Sequence, residues 1–288
     1  MSRMLCPADL NELSAALTRM TERSRIIAGG TDLTIAIMEG KIAPDLLVNV
    51  LDVKEMRAID FTAERVAIGG AAPFCELAAS EQVRAKLSAL ADAASTVGSK
   101  QIRSRGTIAG NIGSGSPAGD MLPVLLLYGA TLSVADADGT VSEIPFRSTL
   151  GDKGLVPLGK GRAIVSVNFP LPEERRISAF LKLGSRRAVT ISKLGVALSF
   201  RCAGAGAPIE KPVVTLGAIA RVPIFAKRAA AALDGRPLAA ETAAAFGEAL
   251  ARDVEEAIPS RPSMPYKRRA ALGVAEDVFM KIMPRAAA

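Results

Sequence analysis

Apolar positions change period along this chain often enough to divide it into short helices and strands. Leu10, Leu13, Leu17 and Met20 share one helical face, and Asp9 with Glu12 has capping-box spacing at its start. RIIAG, residues 25–29, reads as a short buried strand. TDLTIAIMEG predicts a helix that starts at Thr31 or Asp32 and stops at Gly40, and DLLVNV predicts a second strand. A hairpin-like passage ending in the strand RVAIGG leads to a helical stretch over about residues 74–97. After a glycine-rich loop at residues 106–120, a short apolar helix is expected around residues 121–127. ATLSVADADGTVSEIPF then alternates, turns at Asp-Gly and alternates again, which predicts a hairpin. RAIVSVNFP is a further strand.

The chain turns polar at PEERR, residues 172–176, where a domain boundary is expected. Beyond it ISAFLKLG, AVTISKLGVALSFRC and PVVTLGAIA read as three strands, with AGAGAP as a tight turn between the last two. The remainder predicts helices over 224–233, 241–254 and roughly 265–280. The pattern as a whole is α+β, divided into residues 1–174 and 175–288.

Composition narrows the function more than the fold. The chain has 288 residues, 49% hydrophobic and 23% charged, enough for two domains with full cores. Its net charge is +7, yet it has no Trp and two Tyr, so the aromatic-studded basic groove of a nucleic-acid binder is absent. Acidic residues interrupt the first segment before an apolar run develops. The longest uncharged run, MLPVLLLYGATLSVA, is too short for a span and contains Pro123 and Gly129. A cytoplasmic protein that binds no nucleic acid and enters no membrane is expected. The three cysteines, Cys6, Cys75 and Cys202, form no CxxC pair, which argues against an iron–sulfur or zinc site in this chain. There is no histidine, which removes Ser-His-Asp and Cys-His catalysis and ordinary His-bearing metal sites. Carboxylates, lysines or a cofactor must carry any chemistry.

Three glycine patterns compete for that cofactor. GLVPLGKG, residues 154–161, nearly spells a P-loop but ends in Gly161 where Ser or Thr should stand; a plain loop between strands accounts for it. Gly113, Gly115 and Ala118 fit G-x-G-x-x-A, with Asp136 or Asp138 some twenty residues on. The helix that should follow is short and carries Pro123, and the next strand runs into a hairpin instead of a parallel crossover. The third pattern joins IIAGGTDL, residues 26–33, to GTIAGNIGSGSPAGD, residues 106–120. The first sets a strand, two glycines and a helix start with open N–H groups; the second offers a run of small residues as a nest. Together they would clamp a pyrophosphate from two sides, although either alone is equally a structural turn.

Residues and spacing together go further. AGGTDL, VGSKQIRSRGTIAGNIGSGSPAGD, AFLKLGSRRAVTIS and the late RPSMPYKRRAALGVAEDVF resemble, in that order, the FAD-binding medium subunits of molybdenum hydroxylases. That family includes the xanthine, carbon monoxide and nicotinate dehydrogenases. The resemblance covers nearly the whole chain. It implies an FAD-binding lobe over residues 1–174, in subdomains of about 1–55 and 56–174. A C-terminal lobe over 175–288 would carry a three-stranded antiparallel sheet and helices. It implies that Ile26, Ile27, Ala28, Gly29, Gly30, Thr31, Asp32 and Leu33 wrap the FAD pyrophosphate. Thr107, Ile108, Ala109, Gly110 and Asn111 would meet the cofactor from the other side, with Val97 and Gly98 in contact just before them. Asp120 would accept from cofactor hydroxyls, and Val165 and Lys182 would lie beside the isoalloxazine. Plainer roles stand next to these: Asp120 as a cap for the helix at Met121, Thr31 and Asp32 as caps, Lys182 as a solvated strand lysine. Ala109 departs from the family's Gly-Gly pair, which is harmless at negative φ and obstructive at positive φ. Molybdopterin and [2Fe–2S] clusters are expected in partner subunits, one large and one small, with an external electron acceptor such as NAD(P). A free-standing FAD-dependent oxidoreductase and a non-catalytic assembly subunit are the rival readings.

Overall fold

Leu13, Ala16 and Leu17 bury the inner face of the first helix, α1 (Leu10–Thr18), whose Asp9 cap forms as the spacing predicts, with the return bond from Glu12 going to Ala8 instead of Asp9. Asp9 Oδ1 accepts from the Glu12 N–H at 2.9 Å, and Glu12 reaches back to the Ala8 N–H at 2.8 Å. The computed structural model describes residues 3–204 and 206–287. Around α1 a parallel sheet is ordered β1-β3-β2, from β1 (Arg3–Leu5), β2 (Arg25–Ile27) and β3 (Leu46–Asn49). The crossover between β2 and β3 carries α2 (Leu33–Met38), a helix with no buried residue. β1 has no counterpart among the elements read from the sequence, because three residues are too few to establish a period.

The second sheet is antiparallel. Its strands are β4 (Ile59–Phe61), β5 (Arg65–Gly69), β6 (Thr131–Asp136), β7 (Val141–Pro145) and, after the two-residue pair β8 (Leu150–Gly151) and β9 (Gly154–Leu155), β10 (Arg162–Pro170). Their order is β4-β5-β10-β6-β7. The expected helix over 74–97 is three helices, α3 (Phe74–Ala79), α4 (Glu81–Lys86) and α5 (Ser88–Thr96). Ser80, held extended, ends one and caps the next by accepting from Val83 N–H, and Leu87 breaks the second junction. Next come α6 (Lys100–Arg103), α7 (Ile108–Ser114) and α8 (Met121–Leu127). The glycine-rich stretch is therefore half helix instead of loop throughout.

The third sheet has four strands, not three: β11 (Arg176–Leu183), β12 (Leu194–Arg201), β13 (Glu210–Gly217) and β14 (Ile224–Phe225), all antiparallel. β14 occupies the start of a segment whose apolar run reads as helix; α9 (Lys227–Ala231) begins only after it. Ala205, within the AGAGAP stretch read as a turn from the sequence, lies outside the described residues. α10 (Ala240–Ala257) and α11 (Met264–Ala287) close the chain. Among the described residues no helix is long and apolar enough to cross a membrane.

Among the described residues, three clusters fill the interior. One joins α1 and β3 to Ala135, Ala163 and Val165 of the second sheet. A second lies between that sheet and α3–α8 and extends to Phe180 and Ala197 of the third sheet. The last packs the other face of the third sheet against α10 and α11. The third sheet is thus buried on both faces, which is why β12 is apolar almost throughout.

Candidate functional site

The first arm of the site is the turn from β2 into α2. Gly30 has φ of +70°, a conformation that favours glycine, and it ends the strand sharply. Asp32 sits at the N-cap position in a helical conformation, and its side chain caps nothing. The N–H groups of Gly29, Gly30, Thr31, Asp32 and Leu33 donate to no atom of the described residues. Five donors in succession are thereby left available to an anion at the start of α2. Gly29 also shows where the arm leads. A methyl there would lie 1.9 Å from the Arg105 carbonyl oxygen and 2.9 Å from the Gly106 nitrogen, so the two glycine segments touch.

The second arm spends its N–H groups differently from the expected nest. Thr107 caps α7, its hydroxyl accepting from Gly110 N–H at 3.1 Å and its carbonyl from Asn111 N–H at 3.0 Å. Ile108 N–H donates to the Ala72 carbonyl at 3.4 Å and Ala109 N–H to that of Gly70 at 3.1 Å. The open donors therefore belong to the first arm, and the second contributes shape. Ala109 lies inside α7 and outside the positive-φ region, so its methyl is tolerated. Room for it comes from Gly70, where an added Cβ would stand 3.0 Å from that methyl and 2.4 Å from the Ile164 carbonyl oxygen. Asn111 Oδ1 is buried and has no partner, an acceptor awaiting a donor. Val97 and Gly98 offer both carbonyls to the Arg103 guanidinium at 3.1 Å each, which fixes α6 ahead of the second arm.

Asp120 closes the glycine stretch, and the structure gives it neither bond of a helix cap. Its Oδ2 accepts from Lys182 Nζ at 2.6 Å and its Oδ1 from the Ser192 hydroxyl. Lys182, expected as a solvated strand lysine on the plainer reading, is 7% exposed, as is Asp120. Burial pushes the Asp120 carboxyl above its ordinary range, against the pull of the Lys182 ammonium and the two hydrogen bonds. Val165 stands apart. A bulge in the β10–β6 ladder falls at this residue, and its side chain lies in the first core cluster with that of Ala163, 6% exposed, while its carbonyl accepts from Gly70 N–H at 2.8 Å. Ser192 was assigned no role from the sequence. It lies inside the AFLKLGSRRAVTIS motif, but its partner is 72 positions away and no local pattern shows the contact.

The family described as the FAD binding domain in molybdopterin dehydrogenase matches residues 1–172. The chain belongs to that family. A second family, the CO dehydrogenase flavoprotein C-terminal domain, matches residues 179–282. This FAD-binding chain of the molybdopterin dehydrogenases is 32% identical over 260 residues to the nicotinate dehydrogenase FAD-subunit of Eubacterium barkeri, covering 90% of this chain and 88% of that one. It is 28% identical over 247 residues to the xanthine dehydrogenase FAD-binding subunit of Escherichia coli O157:H7, covering 85% and 84%. Among solved structures, a chain of the cyanide-inactivated Cu,Mo-CO dehydrogenase superposes with a TM-score of 0.86 at 21% identity, covering 99% and 98%. The quinoline 2-oxidoreductase of Pseudomonas putida 86 follows at 0.81 and 23%, covering 99% and 96%. At these identities the likeness is one of fold. FAD as cofactor and an oxidoreductase role follow from the family, and the site suits that group. Five unpaired N–H groups match a diphosphate, and the orphaned Asn111 oxygen matches a hydroxyl donor.

Proposed function

We propose that this chain holds FAD between residues 26–33 and 107–111 and relays electrons from the [2Fe–2S] clusters of a small partner subunit to an external acceptor such as NAD(P). A large molybdopterin-binding partner would oxidise the substrate, in the cytoplasm. The medium-chain designation of the Afipia carboxidovorans carbon monoxide dehydrogenase relative supports the multi-subunit part of this reading. The observation that carries the reading is the run of open N–H groups at Gly29–Gly30–Thr31–Asp32–Leu33, pressed against the second arm because Gly29 has no side chain.

Bound FAD supplies reversible uptake of two electrons, chemistry that a chain without histidine and without clustered cysteine cannot supply itself. This chain's part is placement. The first arm orients the diphosphate through backbone donors, and its one charged side chain is the exposed Asp32. Asn111 Oδ1 accepts from a cofactor hydroxyl, which satisfies an atom otherwise buried alone. Lys182 and Asp120 set the charge beside the flavin ring system, and their pairing leaves that charge near balance. Val97 and Gly98 carry α6, and Val165 supports the Gly70–Ala109 contact from behind.

Asn111→Ala tests the site. The Oδ1 atom has no partner in the empty chain, so the melting temperature without FAD is expected to stay within about 2 °C of wild type. FAD affinity, followed by loss of flavin fluorescence, is expected to fall about tenfold, the worth of one hydrogen bond to a buried acceptor. Unchanged affinity, or a wild-type chain that takes up no FAD, refutes the reading.

A further inference from the structure

Asp120 owes its orientation to residues distant in sequence. Its own helix, α8, gives its carboxylate nothing, and both oxygens are gripped by the hairpin β11–β12: Oδ2 by Lys182 Nζ at 2.6 Å, Oδ1 by the Ser192 hydroxyl. All three groups are under 10% exposed. The loop that delivers Ser192 is closed tightly. Lys193 N–H donates to the Leu183 carbonyl at 2.8 Å, and Ser185 N–H donates to Thr190 Oγ1 at 3.0 Å. A Cβ on Gly184 would stand 2.1 Å from the Thr190 methyl. Within it Val189 has φ of +51°, a strained conformation for a β-branched residue. Such strain persists only where the surroundings over-determine it. Here it places the Thr190 carbonyl 3.3 Å from Lys182 Nζ and the Ser192 hydroxyl on Asp120.

We propose that Ser192 is a positioning residue for the flavin site, its hydroxyl fixing the Asp120 carboxylate and keeping it ionised against Lys182. This rests on the reading that places Asp120 and Lys182 beside FAD. The carboxylate is nearly buried and has two side-chain donors; with Ser192 gone, Lys182 alone is left to hold both its charge and its direction. A carboxylate that takes up a proton leaves the Lys182 ammonium unbalanced, which favours added negative charge on the neighbouring flavin ring.

The test uses the full chain with FAD as the probe, comparing wild type, Ser192→Ala and Ser192→Thr. Ser192→Ala frees the Asp120 carboxylate to turn away and is expected to bind FAD about tenfold more weakly and to raise the flavin midpoint potential. Ser192→Thr, which keeps the hydroxyl, is expected to stay near wild type in both. Thr190→Val leaves both donors to Asp120 in place and is expected to leave the potential unchanged, which separates Ser192 from general loosening of the loop. Wild-type affinity and potential in Ser192→Ala overturn the proposal while FAD binding itself stands. Equal losses in all three variants overturn it also, as does an early-melting Ser192→Ala with Ser192→Thr equally impaired. A wild-type chain that takes up no FAD overturns the underlying reading at the first step.

Discussion

Removing Asp92 is expected to loosen the join between the two halves of the chain. Asp92, on α5, is 11% exposed, and its carboxylate takes Arg285 in a fork at 2.8 and 2.9 Å, Lys281 at 3.0 Å and the Phe180 N–H at 3.0 Å. One side chain thereby ties α5, β11 and the last turns of α11. The cost of Asp92→Ala has two parts. Arg285 and Lys281 are 28% and 31% exposed and can turn to water, so the lost ion pairs count as partly exposed ones, about 1 kcal/mol. Phe180 is fully buried, and its stranded N–H adds about 2 kcal/mol. The sum of about 3 kcal/mol lowers the melting temperature by about 6 °C for a chain of this size. Asp92→Asn keeps an acceptor for Phe180 N–H and is expected to lose only the first part, about 2 °C. Thermal denaturation followed by circular dichroism at low and high salt reads both. The salt-sensitive fraction should vanish in either variant. An Asp92→Ala that melts within about 1 °C of wild type, or an Asp92→Asn as damaged as Ala, refutes this division of the energy.

The two arms make opposite predictions for glycine replacement. Gly29→Ala drives a methyl into backbone that has nowhere to move and is expected to cost about 3 kcal/mol or more, read as lost soluble yield and lost FAD uptake. Gly113→Ala, in α7 with nothing within 4 Å, is expected to gain up to about 1 kcal/mol in melting experiments and to leave FAD uptake intact. Acid stability should involve Asp45, whose carboxyl is held below its ordinary range first by the Thr21 hydroxyl and then by that of Ser24. Its folded pKa is the lower one, so it stabilises the native chain above pH 3.8 and loses that contribution as pH falls. Asp45→Asn is expected to flatten the acid limb of the melting temperature against pH, and an unchanged limb would sink the assignment.

The sequence exposed the site in proportion to how local each part is. The turn from β2 into α2 was legible because apolar residues, two glycines and a helix start are contiguous, and the cap at Asp9 was legible for the same reason. Asp120 was not: standing directly before a helix it looks like a cap, and its real partners lie 62 and 72 positions on, in the hairpin β11–β12. The second arm looked like an open nest because glycines suggest bare backbone. Thr107 instead folds them into a helix, and Ala72 and Gly70 absorb two more donors. β14 was hidden inside an apolar run, since two residues carry no period and only the edge of β13 makes them a strand. The division of residues 74–97 turned on Ser80, whose capping preference competes with continuing the helix.

α2 gains almost nothing from the rest of the chain. It has six residues, buries none of them and carries no side-chain cap at its start, with Met38 82% exposed. A helix this short is not stable by its own propensity. In the empty chain it should be among the first elements to open, with amide hydrogens that exchange far faster than those of the sheets. On the proposed reading, the FAD diphosphate at the five donors of this turn supplies the anchor α2 lacks, and loading is expected to show first as local order here. Hydrogen exchange at α2 is then expected to slow on adding FAD, and exchange that does not change with FAD would count against that placement.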